Sequence, residues 1–178
     1  MVDTRRNLAA LQALLADNQE GSISPQDVRD MLVTTLGSYG SLVKNALATT
    51  SIGTGAWVQI PFEAAGEASA AVSVDAAQNR LTAQVAGVWL AEYHVAGQLE
   101  APLATLVQSQ LYKNGATIDN QSWDQVELAV VDQYRSLRGG GLFSLSVGDY
   151  LELYAAHDDG GSQDFKLQYG WLRMRLIG

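Results

Sequence analysis

No cysteine occurs in this chain of 178 residues, so neither a disulfide framework nor thiol chemistry is open to it. Positive charge is scarce: 11 Lys and Arg stand against 19 Asp and Glu, a formal net charge of −8. Binding to a phosphate backbone needs Lys and Arg gathered on one face. The nearest gathering, Arg135, Arg138, Arg173 and Arg175, has acidic residues interleaved around it, so no nucleic-acid partner is expected. Long apolar runs are missing as well. No stretch approaches the roughly 18 apolar residues a membrane helix needs, so no membrane insertion is expected. The opening Met1-Val-Asp-Thr-Arg-Arg lacks the apolar run and cleavage site of a signal peptide. The expected place of synthesis is a cytoplasm.

Chemical signatures are equally thin. There is no Gly-x-Ser-x-Gly elbow, phosphate-binding loop, dinucleotide fingerprint or His-Glu-x-x-His pair. Gly139-Gly140-Gly141 precedes a strand pattern instead of opening a helix, which suits a sheet-connecting turn better than a phosphate cradle. Of the two histidines, His94 lies in an aromatic-rich strand and is expected to be packed or hydrogen-bonded. His157 opens the loop His157-Asp158-Asp159-Gly160-Gly161, which with Asp164 offers oxygens to a hard cation. Its spacing matches no EF-hand, and an Asp-Gly surface turn explains it without a metal. Glu92 and Glu127 are an acid pair only if the fold brings them together. The expectation is no catalytic residue, no metal, no cofactor and no enzyme.

What is abundant points to β-structure. Only 17% of residues are charged and 17 are glycine, a balance suited to strands and tight turns. The front of the chain reads otherwise. Leu8, Leu11, Leu14 and Leu15 form a helical stripe that Asp3 or Thr4 can cap and Gly21-Ser22 breaks. Ser24 at N-cap and Pro25 at N1 start a second helix, with Val28, Met31 and Leu32 on one face and Gly37 at its end. Helices this short are marginal alone. Their stripes must pack on the same chain, on other copies of it, or on a larger assembly. Residues 1–38 are thus expected to be a helical docking segment, residues 39–54 a polar linker, and 55–178 the main domain.

From Ala56 the pattern turns to period two. Strands are expected at Ala56–Ile60, Leu81–Val85, Val88–Val95, Leu106–Lys113, Gln125–Tyr134, Leu142–Val147, Tyr150–Ala155 and Phe165–Ile177. Asn114-Gly115 is the strongest hairpin signal and Gly148-Asp149 marks another turn. No helix pattern separates these strands, so the sheets are antiparallel. The fold class is mainly β: an antiparallel jelly-roll sandwich preceded by a short helical segment. The last strand has Phe165, Leu167, Tyr169 and Trp171 on one face and Leu172, Met174 and Leu176 on the other. Val88 to Val95 is similarly apolar on both faces, and a strand of that kind needs a partner on each side. Self-association through Trp89, Tyr93, Tyr169, Trp171 and Met174 is the economical expectation. Trp123, in the polar stretch Asn120-Gln-Ser-Trp-Asp-Gln125, is the candidate for an exposed receptor-binding surface, or else a lid folded back on the domain.

Three stretches, Leu81-Thr-Ala-Gln-Val-Ala-Gly-Val-Trp-Leu-Ala-Glu-Tyr-His-Val-Ala96, Gln110-Leu-Tyr-Lys-Asn-Gly115 and Gly140-Gly-Leu-Phe-Ser-Leu-Ser-Val-Gly-Asp-Tyr-Leu-Glu-Leu-Tyr-Ala155, precede a closing Tyr169-Gly-Trp-Leu-Arg-Met-Arg-Leu176. Their order resembles the globular head shared by complement's first component and the tumour-necrosis-factor ligands, over about residues 56 to 178. The resemblance implies a trimeric jelly roll; some relatives bind calcium. Leu14-Leu-Ala-Asp-Asn-Gln-Glu-Gly-Ser-Ile-Ser-Pro-Gln-Asp-Val-Arg-Asp30 is similar to a segment near the front of many bacteriophage fibre and spike proteins. Together these resemblances imply a homotrimeric virion fibre, spike or decoration protein. Its partners would be capsid or tail proteins of the particle and a host-surface glycan or protein. A bacterial lectin-like or ligand-like adhesion module is the alternative, and a glycan hydrolase with paired carboxylates a third.

Overall fold

The computed structural model describes residues 37–45, 48–52, 55–99, 105–117, 122–128, 134–158 and 163–177. Side chains alternate between buried and open positions along most strands, which is what a sheet covered on one face requires. The strands are β1 (Tyr39–Lys44), β2 (Ala48–Ile52), β3 (Val58–Gln59), β4 (Ala64–Ala68), β5 (Val72–Asp75), β6 (Arg80–Ala83) and β7 (Gly87–Leu99). They continue with β8 (Thr105–Lys113), β9 (Ala116–Thr117), β10 (Asp124–Leu128), β11 (Arg135–Leu145), β12 (Tyr150–His157) and β13 (Gln163–Leu176).

Two antiparallel sheets result. The first runs β11-β7-β13-β1-β4, with β2 also paired to β13; the second runs β10-β8-β12-β6-β5, with β3 on β12 and β9 on β8. From β6 onward the chain repeatedly crosses between sheets: β6 to β7, β7 to β8, β10 to β11, β11 to β12, and β12 to β13. That crossing makes this sandwich a jelly roll. Leu42, Leu81, Trp89, Tyr93, Leu111, Leu137, Leu151, Leu153, Leu172 and Met174 fill the space between the sheets. Each large apolar side chain removed from water there contributes about 1.5–3 kcal/mol.

Both expected turns are present. Asn114 (φ 54°) and Gly115 (φ 74°) are left-handed and join β8 to β9. Gly148 (φ 91°) lies between β11 and β12, where Ser146 N–H donates to Asp149 Oδ2 at 2.8 Å.

Three expectations are corrected. Within the expected linker 39–54, residues 39–44 and 48–52 are strands: β1 pairs with both β13 and β4, and β2 pairs with β13. Tyr39-Gly-Ser-Leu-Val-Lys44 looked like linker because Gly40, Ser41 and Lys44 interrupt its apolar residues, and because, with Gly40 and Lys44 joining Leu42 at the inward positions, no apolar alternation shows. Gly139-Gly140-Gly141 does not connect strands; it lies inside β11, which pairs with β7 residue for residue. A Cβ on Gly139 would stand 2.6 Å from the Tyr93 hydroxyl, and one on Gly140 would collide with the Ala91 carbonyl oxygen. Gly139 and Gly140 are there because neighbours approach closely. Finally, β13 does not keep one alternation. Register shifts between Leu167 and Tyr169, a bulge at Gln168, so Leu167 before it and Leu172 and Met174 after it all face the core. The expected helices of residues 1–36 lie outside the described residues.

Candidate interaction surface

The outward face of the first sheet is built by the even-numbered positions of β7 and β11 and the odd-numbered positions of β1 and late β13. Register aligns them in rows. Leu142, Leu90, Arg175 and Tyr39 form one row across β11, β7, β13 and β1. Gly140, Glu92, Arg173 and Ser41 form the next, and Arg138, His94, Trp171 and Val43 the one after. Ala96 and Tyr169 lie beyond, and Val88 lies at the opposite end.

Several large apolar side chains of this face are open to water. Tyr39 (42%), Val88 (39%), Leu142 (55%) and Tyr169 (47%) all belong to it and are exposed. Tyr134, which with Ala96 and Tyr169 lines a hollow of about 410 Å³, is exposed at its margin. A larger groove of about 720 Å³ runs over Gly40, Ser41 and Gly66 between Tyr39, Leu90, Glu92 and Arg173. Polar groups on the face are partly spent on each other. Both the Nε and an Nη of Arg173 reach Glu92 Oε2 at 3.1 Å, and the guanidinium lies 4.2 Å from the Trp171 ring centroid. His94 sits between Tyr169 (ring centroids 5.5 Å apart) and Trp171 (6.1 Å). Burial, and then the Arg138 charge, hold its imidazole below the usual histidine range.

The second sheet's outward face is closed up by its own contacts. Tyr112 and Tyr154 stack at 4.0 Å, and Trp57 leans on Tyr112. Glu152 is buried beside them, accepts 2.9 Å from Gln59 Nε2, and has its carboxyl raised by that burial despite Arg80. Arg80 in turn lies over the Tyr150 ring at 4.9 Å.

The expected site residues divide. Tyr169 and Trp171 lie on the outward face of the first sheet, as an interface requires. Trp89, Tyr93 and Met174 do not: all three are in the core of a single chain, at 0–1% exposure. Tyr93 directs its hydroxyl to Ser109 Oγ (2.8 Å) and donates to the Ser122 carbonyl (2.9 Å), and burial raises its phenol far above the ordinary value. Trp123 is 41% exposed at the entry to β10. His157 ends β12 as a buried side chain, its Nε2 2.7 Å from the Ile52 carbonyl, so it is a packing residue instead of a loop ligand. Asp158 is likewise engaged, accepting from Leu106 N–H at 2.8 Å. Glu92 lies on β7 and Glu127 on β10, in different sheets, with Glu92 held by Arg173. Among the described residues no group of three or more His, Asp and Glu is placed to hold a metal ion. Leu8, Leu11, Leu14, Leu15, Val28, Met31 and Leu32 lie outside the described residues. His94, expected to be packed among aromatics, is packed on this face; Tyr39, Leu90, Leu142 and Arg173 were missed, and the outward parity of β7 was the available signal for Leu90.

With that geometry in view, known structures supply the comparison. The globular domain of a zebrafish complement 1qA protein superposes with a TM-score of 0.54 at 14% identity, covering 79% of this chain and 98% of that one. The fold is the complement and tumour-necrosis-factor jelly roll. An Eiger TNF from S. frugiperda agrees, with a TM-score of 0.52 at 11% identity over 78% of this chain and 92% of its own. No protein-family model matches the sequence, and no curated protein does. At these identities the complement/TNF likeness extends to the fold and leaves residue roles to the chain's own geometry.

Proposed function

We propose that the chain is the subunit of a homotrimeric, non-enzymatic β-head that acts by binding. One observation carries the reading: the exposed large apolar residues Tyr39, Val88, Leu142 and Tyr169 share one sheet face with half-buried Leu90 and Trp171. Large apolar side chains left open on one sheet face mark an association site, and closed symmetry is the usual way a single chain covers them. The threefold order is drawn from the fold's resemblance. Three equivalent heads then strengthen weak contacts through effective concentration.

The setting we propose is a bacteriophage virion appendage: a fibre, spike or decoration protein made in the host cytoplasm and displayed on the particle. Its support is the likeness of residues 14–30 to the front of such proteins. Leu8, Leu11, Leu14, Leu15, Val28, Met31 and Leu32 would dock on capsid or tail proteins, and Trp123 would meet a host-surface glycan or protein. A bacterial adhesion module is the second reading, favoured by the exposure of Trp123, since an indole on a loop is suited to stacking on sugars. Mass measurement of the full chain tests the first claim: a trimer is expected, and a monomer at working concentration refutes it. Deleting residues 1–36 separates the settings. Loss of particle binding with retained trimers supports the appendage; retained sugar binding by the shortened head, with no particle binding by either form, supports adhesion.

A further inference from the structure

The face proposed for self-association carries a titratable group at its centre, and its surroundings suit only one of its two charge states. We propose that His94 is a proton-sensitive wedge: the trimer is held with a neutral imidazole and loosens when that ring gains a proton. The inference rests on the self-association reading above and adds its regulation.

The geometry is as follows. His94 is in the middle of its row, packed against Tyr169 and Trp171 of β13. Its Nε2 is shielded from solvent and has no hydrogen-bond partner. A neutral ring tolerates this by presenting a bare lone pair there. A protonated ring must present an N–H donor, and a shielded donor without an acceptor is costly. The charged neighbours add to that cost. Arg138 of β11 is directly opposite His94, and Arg173 of β13 is in the adjacent row. Glu92, two residues along β7, already accepts two contacts from Arg173. Asp124 is committed to the Arg138 main-chain N–H at 2.7 Å. On β1 the same row holds Val43, beyond Trp171, which offers no charge, and Tyr169 meets the imidazole with its ring.

Covering this face with a neighbouring chain removes further water from the imidazole and disfavours its charge more strongly. The sign then follows from linkage. A group whose pKa is lower in the assembled state gives up a proton on assembly, so assembly weakens as pH falls. The separate chain already holds His94 below 6.5, which puts the window on the acid side of that value.

The test is sedimentation equilibrium of the full chain at about pH 7.5 and about pH 5, the range in which histidine titrates. Far-ultraviolet circular dichroism at both values reports whether the chain stays folded. Wild type is expected to be a trimer at the higher pH and to associate at least ~10-fold more weakly at the lower, the effect of a shift of about one pKa unit. His94→Gln, which cannot titrate, is expected to associate equally at both. If Gln disrupts folding, His94→Phe provides the same comparison. A folded wild-type trimer at both pH values overturns the switch and leaves self-association standing. A monomer at both overturns the two together. Acid dissociation of His94→Gln equal to wild type assigns the effect to another group and also overturns the proposal.

Discussion

Tyr93 and Trp171 are both large aromatics on adjacent strands, yet the sandwich gives them opposite duties. The Tyr93 ring is in the core and its hydroxyl ties β7 to Ser109 and to the Ser122 carbonyl. Tyr93→Phe strands those partners and is expected to cost about 1–3 kcal/mol in denaturant unfolding, with the associated mass unchanged. A second single-residue effect concerns acid. Hydrogen bonds from Lys113, then Asn114, then Ser146 N–H hold the Asp149 carboxyl at about 2, against an ordinary 3.8. A depressed folded-state pKa means its stabilisation is complete above 3.8 and is lost as pH falls through about 2. Thermal unfolding of Asp149→Asn should therefore decline less over that interval than wild type; equal declines would remove Asp149 from the account. Residue types alone could not sort core from surface here. Trp89, Tyr93, Tyr169 and Trp171 are chemically alike, and alternation marks two faces without saying which is turned inward.

At the scale of the element, short-range rules were legible and close approach was not. Asn114-Gly115 and Gly148-Asp149 make turns because left-handed backbone selects glycine and asparagine locally, whatever the rest of the chain does. The same residue type means something else in β11. Gly139 and Gly140 are extended, and what selects them is the Tyr93 hydroxyl and the Ala91 carbonyl of the neighbouring strand. Gly140→Ala is expected to destabilise by about 1–3 kcal/mol, the usual result of overfilling a tight site. If urea unfolding of that variant matches wild type, the close approach is not what holds glycine there. The bulge at Gln168 was hidden for a similar reason. A strand read by strict alternation places Tyr169 with Leu167, whereas one extra residue puts them on opposite faces.

For the whole molecule, the outward face of the first sheet is the surface proposed for self-association. Trp171 lies outside the core, so Trp171→Ser should leave unfolding nearly unchanged while weakening self-association by ~10-fold or more, as truncation of an interface aromatic does. Sedimentation and denaturant unfolding of the same sample separate the two effects. A variant that associates as tightly as wild type would move the interface off this face. Loss of fold would show Trp171 to be structural.

Composition, alternation and turn chemistry determined a great deal unaided: an antiparallel β-sandwich and the turns at Asn114-Gly115 and Gly148-Asp149. These are local properties, set by period and by backbone preference within a few residues. Which greasy face is inside, why Gly139 and Gly140 stand within a strand, and where His94 and Arg138 meet were decided only by tertiary structure. Those outcomes depend on register between strands far apart in the chain, and register is a property of pairs that no single segment contains.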